Sequence, residues 1–190
     1  MQQTTEEALR TKMIDLLLAN AMKCIFQASH SRDQFHCIRQ SQITDDSGEQ
    51  LNNMLVSAIT IAGTDFNIQL GICWQTENMK ILISEGINRK VTDVNFSVAT
   101  GFMGELCNAI AGAIKADIAV HDIKLKLGLP EHQGQFSSEK WEWDLLWEMC
   151  VQKGGVYCFF NIDNWNSPEL GKLLSTQAMD TQDEGEIEFL

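Results

Sequence analysis

From Phe102 to Ile114, apolar residues recur every three or four positions, at Phe102, Met103, Leu106, Ile110, Ala113 and Ile114. A helix turning about 100° per residue gathers that spacing onto one face. The opposite side of the same wheel carries Gly101, Gly104, Glu105, Asn108 and Gly112. Each glycine inside a helix costs about 1 kcal/mol relative to alanine. A helix that needed only a solvated outer face would carry Lys, Glu or Gln at those positions. Bare backbone beside one carboxylate and one carboxamide lets another molecule approach those two side chains closely. The segment is therefore expected to be a core helix whose outer face is shaped for contact.

The Glu-x-x-Asn pair itself carries little information. It occurs at Glu49/Asn52, Glu85/Asn88 and Glu105/Asn108. The first lies in a polar stretch that reads as loop, and the second straddles Gly86 at the end of a short helical pattern. Only the third sits within a strong amphipathic period with small residues around it. The residues alone leave two readings open. Glu105 and Asn108 form a site, or they are ordinary solvated residues on a helix whose glycines admit another helix or a second subunit.

Around this helix the chain is read as alternating elements. Thr4-x-x-Glu7 resembles a capping box opening a long first helix that ends near Ser29. Gln34 to Ile43 alternates as a strand, and residues 45–53 form a loop. Met54 to Ile61 and Phe66 to Trp74 flank Gly63-Thr-Asp65 as a hairpin, with Phe66, Ile68, Leu70 and Ile72 on one face. That alternation predicts an antiparallel sheet with one buried face. Thr76 opens a short helix, and Asp93 is the expected cap of the glycine-bearing helix. Ile123 to Leu127 reads as a strand ended by Gly128-Leu-Pro130, and Glu131 to Lys140 as a polar connection. Trp141 to Val151 and Val156 to Ile162 read as a last hairpin, with Trp141, Trp143 and Trp147 as core or subunit-contact anchors. The expected fold class is α+β, two layers, with an antiparallel sheet packed against helices. A domain over residues 1–163 is expected, followed by an acidic tail over 164–190, of which residues 173–190 are expected to be dispensable for folding.

Charge and composition exclude several functions. A formal net charge of −12 argues against nucleic acid and anionic membrane surfaces as partners. No stretch is read as a membrane span or export signal, so a cytoplasmic location is expected. The six cysteines form no Cys-x-x-Cys pair and no zinc spacing, and the four histidines are scattered. No metal site is expected. P-loop, Rossmann and Gly-x-Ser-x-Gly fingerprints are absent from the sequence.

Glu105, Asn108, Gly112 and Pro130, in that order and spacing, resemble the active helix of the CheC/CheX/FliY family of chemotaxis response-regulator phosphatases, its CheX branch most closely. The order of elements from about residue 5 to 163 is similar too. Gly101 stands where the family pattern has Asp. The resemblance implies hydrolysis of the aspartyl phosphate on a CheY-like receiver domain. It assigns Asn108 to holding the attacking water and Glu105 to pairing with the receiver's lysine. It also implies a contact surface formed by Gly101, Gly104, Gly112 and Pro130, and a homodimer. This chain would bind no cofactor of its own, the Mg²⁺ belonging to the receiver. The alternative is a non-catalytic adaptor that docks a receiver through the same helix.

The chemistry suits these residue types. An acyl phosphate needs a water in line with phosphorus and neutralised phosphoryl oxygens. A carboxamide donates and accepts hydrogen bonds at once, so it can position that water without acting as a base.

Overall fold

A computed structural model of the protein describes residues 2–29, 35–40, 51–137, 140–141, 143–151 and 154–175. Its frame is the hairpin expected from the alternation. Strand β2 (Leu55–Ala62) pairs antiparallel with β3 (Asn67–Trp74), in a register running from Leu55↔Trp74 to Ala62↔Asn67. The last hairpin also forms, from β6 (Leu145–Val151) and β7 (Gly154–Ile162), and β7 pairs with β3. Strand β1 (Phe35–Gln40) adds to β6. On the far side, β2 receives the short β4 (Lys126–Leu127) and β5 (Glu131–Gln135). The path β1-β6-β7-β3-β2-β4, with β5 also on β2, is antiparallel throughout among the described residues.

Helices α1 (Gln2–Ser29), α2 (Thr76–Gly86), α3 (Phe96–Ala119) and α4 (Pro168–Ser175) accompany this sheet. The side chains of Ile59, Ile61, Ile68, Leu70, Ile72, Trp147 and Phe160 meet Met13, Leu17, Met103, Ile110 and Ile114 in one continuous core. The architecture is α+β, as the periodicities require. Alternation puts every second strand residue under the helices, and the helical stripes close over them.

Several expectations are corrected. The sheet's second face is not bare. Leu51, Met54, Phe136 and Trp141 cover Val56, Ala58, Cys73, Leu146, Tyr157 and Phe159 there in a separate apolar cluster. Gly71 belongs to this face, because a β-carbon on it would lie 1.9 Å from the Phe159 ring across the strand pair. Residues 131–135, expected as a connection, are strand β5. Their sequence has no apolar alternation, and strand character comes from backbone pairing to the free edge of β2. The register steps past Gln133, between Ser57↔His132 and Val56↔Gly134, and Gly134 takes φ +79°. Only Lys126 and Leu127 of the expected strand over 123–127 pair, while Ile123 and Leu125 are buried.

The N-terminal helix begins at Gln2, ahead of the expected cap at Thr4. At the other end, residues 164–175 are not tail. Trp165, Leu170 and Leu173 join the helix-side core, and the Lys12 ammonium donates to the Leu173 carbonyl. Residues 176–190, the rest of the expected tail, lie outside the described residues. Trp147 is fully buried and Trp141 nearly so, both as core. Helix α3 is, among the described residues, the one helix long and apolar enough to cross a membrane by length and composition, contrary to the sequence expectation. Its apolar side is packed into the core instead.

Candidate functional site

The glycine-bearing helix is capped two residues beyond the expected position. Asp93 ends a 3-10 turn over Val91–Asp93, and the cap is Asn95. With extended backbone, Asn95 turns its side-chain Oδ1 to accept the Val98 amide at 3.0 Å. From there α3 runs 24 residues to Ala119. Its rotation is held from the inside. Met103, Leu106, Cys107, Ile110, Ala111, Ile114 and Ile118 are buried. Near the C-terminal end, buried Asn20 of α1 donates from Nδ2 to Asp117 Oδ2 at 2.8 Å, tying the two helices together.

With the core face fixed, the other face follows. Gly101, Glu105 and Asn108 are exposed, and Gly104 and Gly112 are half-buried. Glu105 and Asn108 stand one turn apart on the same outward side. Between them, Leu106 and Cys107 point inward. The Cys107 thiol donates to the Ser57 carbonyl at 3.3 Å, and burial pushes its pKa up to about 12. Burial raises Cys73 as well, with a further contribution from Cys107. Both thiols are therefore neutral core groups rather than nucleophiles.

The glycines differ in what surrounds them. A β-carbon on Gly101 or Gly112 would meet nothing within 4 Å. No packing inside the described chain requires glycine at either position. On Gly104 it would sit 3.6 Å from Pro130 Cβ, an ordinary contact. Pro130 therefore lies beside α3 and leads into β5. Next along β5, His132 meets the exposed Phe96 ring edge-on at a centroid distance of 5.5 Å. On the opposite flank, α3 borders an open groove against α1 and the end of α2. Sequence reasoning missed this groove, because Cys24, Ala28 and Gly86 carry no signal until the three helices meet.

The competing Glu-x-x-Asn pair at Glu85/Asn88 has no such geometry. Helix α2 ends at Gly86, and Asn88 has φ +52°, so the pair does not share a helical face. Glu49 lies outside the described residues. Among the described residues, no group of three His, Cys, Asp or Glu side chains is placed to hold a metal ion. What the face offers is one carboxylate and one amide, open to solvent, on a rigid helix with bare backbone around them.

No family model matches the chain, and no curated protein matches it in sequence. Solved structures do match in fold. The chemotaxis protein CheX from Vibrio vulnificus superposes with a TM-score of 0.60 at 16% identity, over 79% of this chain and 98% of that one. The CheX of a CheX-CheY-BeF3-Mg²⁺ complex from Borrelia burgdorferi gives 0.64 at 12% identity, over 80% and 97%. FliY from Thermotoga maritima gives 0.51 at 10% identity, over 84% and 88%. The chain has the CheX/CheC-like fold.

Proposed function

We propose that this protein is a phosphatase that hydrolyses the aspartyl phosphate of a CheY-like response regulator. The observation that carries the reading is the outer face of α3. Glu105 and Asn108 are exposed side by side, with open space above Gly101 and Gly112. In this reading the receiver supplies the phosphoryl group, its Mg²⁺ and its lysine. Glu105 pairs with that lysine and sets the register. The Asn108 amide donates to and accepts from a water and holds it in line with phosphorus. Catalysis is then positioning of the nucleophile, with the receiver's own cations neutralising the phosphoryl oxygens. Gly101, Gly104 and Gly112, with Pro130, form the surface on which the receiver backbone rests. A homodimer in the cytoplasm is the setting that goes with this reading. The neighbouring fold whose structure holds CheX together with CheY supports a receiver as the partner.

A second reading rests on Gly101, which stands where the family pattern has Asp. It keeps the docking and drops the turnover, making the protein a receiver adaptor. One experiment separates them. Receivers from the same genome are phosphorylated with labelled phosphate and incubated with the protein. Faster loss of label from at least one receiver is the expected result. Binding of a receiver without faster loss would establish the adaptor instead.

A further inference from the structure

An open groove of about 340 Å³ runs along the flank of α3 that faces α1. Ala28 of α1, Gly86 at the end of α2, and Phe102, Leu106 and Ala109 of α3 supply apolar walls, and Gln27 adds an amide. Among the described residues, the one formally charged wall residue is Glu105. The shape depends on Gly86. A β-carbon there would lie 2.7 Å from the Phe102 ring, so the absence of one lets that ring lie against the backbone of α2. The volume is at the small end for a ligand pocket, about 300–1,000 Å³. It suits one large apolar side chain better than a helix or strand.

We infer that this groove receives an apolar side chain of the docked receiver, next to the basic group that Glu105 engages, and so selects among receivers. The inference rests on the reading of α3 as the receiver-docking helix. Continuity argues for this occupant. Glu105 belongs both to the face that carries Asn108 and to the groove wall, so a protein that pairs with its carboxylate also covers the groove. Charge argues for it too. A cation flanked by an apolar group complements a negative, largely apolar wall. Each receiver shares the lysine and the phosphoryl site, so discrimination has to come from neighbouring side chains, and an apolar socket supplies it by size.

Filling the socket tests this. Ala109 is exposed on the helix surface, so Ala109→Trp leaves the core untouched, and Ala109→Ser is the size-matched control. Kd for receivers activated with beryllofluoride is measured by calorimetry for the wild type and both variants. Losing the seat of one large apolar side chain should weaken binding about tenfold or more for the Trp variant. The Ser variant should stay within about twofold, since it removes no apolar contact of that size. Equal affinities for the wild type and the Trp variant would overturn the inference and leave the docking reading intact. If the Trp variant also changed oligomeric state in sedimentation at unchanged receiver affinity, the groove would belong to a second copy of the chain. Failure of the wild type to bind any activated receiver would overturn both.

Discussion

The two sides of α3 obey different rules. Its inner side is crowded: Met103, Cys107, Ile110, Ala111 and Ile114 have no exposed surface. Its outer side holds Gly101 and Gly112, whose missing β-carbons would touch nothing within 4 Å. Packing explains each inner residue, since any loss there leaves a cavity. Packing explains none of Gly101, Gly112, Glu105 or Asn108. The helix would be more stable with alanines at the two glycines and no less stable with other polar residues at the Glu and Asn positions. Among the described residues this surface gives up intrinsic stability without an internal contact in return, which supports the proposal that a partner meets it. That contrast is the physical basis for the proposed function of this face.

The largest effect should come from the inner side. Ile110→Ala removes three buried carbons between α3 and the sheet and should cost about 2–5 kcal/mol of stability. Urea denaturation should show this as a lower midpoint at unchanged slope. The folded fraction should still dephosphorylate a receiver at the wild-type rate, and a specific loss of activity in folded protein would break the division between the two sides.

Next in size are the outer polar residues. Asn108→Ala should lower the rate of label loss at least about a hundredfold, as deletion of one transition-state hydrogen-bonding group does elsewhere. Affinity for a beryllofluoride-activated receiver should hardly change, because the water-holding contact matters chiefly in the transition state. Glu105→Ala should weaken both affinity and rate. Melting temperatures of both variants should match the wild type closely, and a clear drop would show that these side chains serve the fold.

The smallest effect has the opposite sign. Gly101→Ala should stabilise the protein by about 1 kcal/mol, raising the melting temperature by about 2–4 °C. The same variant should bind an activated receiver less well, because the added methyl stands where the partner backbone comes close. A more stable protein with undiminished affinity would remove Gly101 from the contact surface.

The sequence alone determined the parts of this protein that depend on local periodicity. The stripe Met103-Leu106-Ile110-Ile114 can bury itself only as one side of a helix, and that places Glu105 and Asn108 together outside whatever the stripe packs against. The Phe66-Ile68-Leu70-Ile72 alternation behaves likewise, and so does the turn around Gly63. Other features have no local signature, and tertiary structure decided them. Glu131–Gln135 is a strand because β2 has an unpaired edge beside it, and backbone hydrogen bonds to a distant partner leave no pattern in side-chain hydropathy. Helix α4 joins the core through Leu170 and Leu173, which only the position of α1 makes possible. Asp93 does not cap α3 because it closes the 3-10 turn Val91–Asp93, and Asn95, two residues on, takes that place. The groove beside Glu105 needs Ala28, Gly86 and Phe102 from three separate helices. The period of one helix identifies its outward residues, but what stands next to them is set by contacts between segments far apart in the chain.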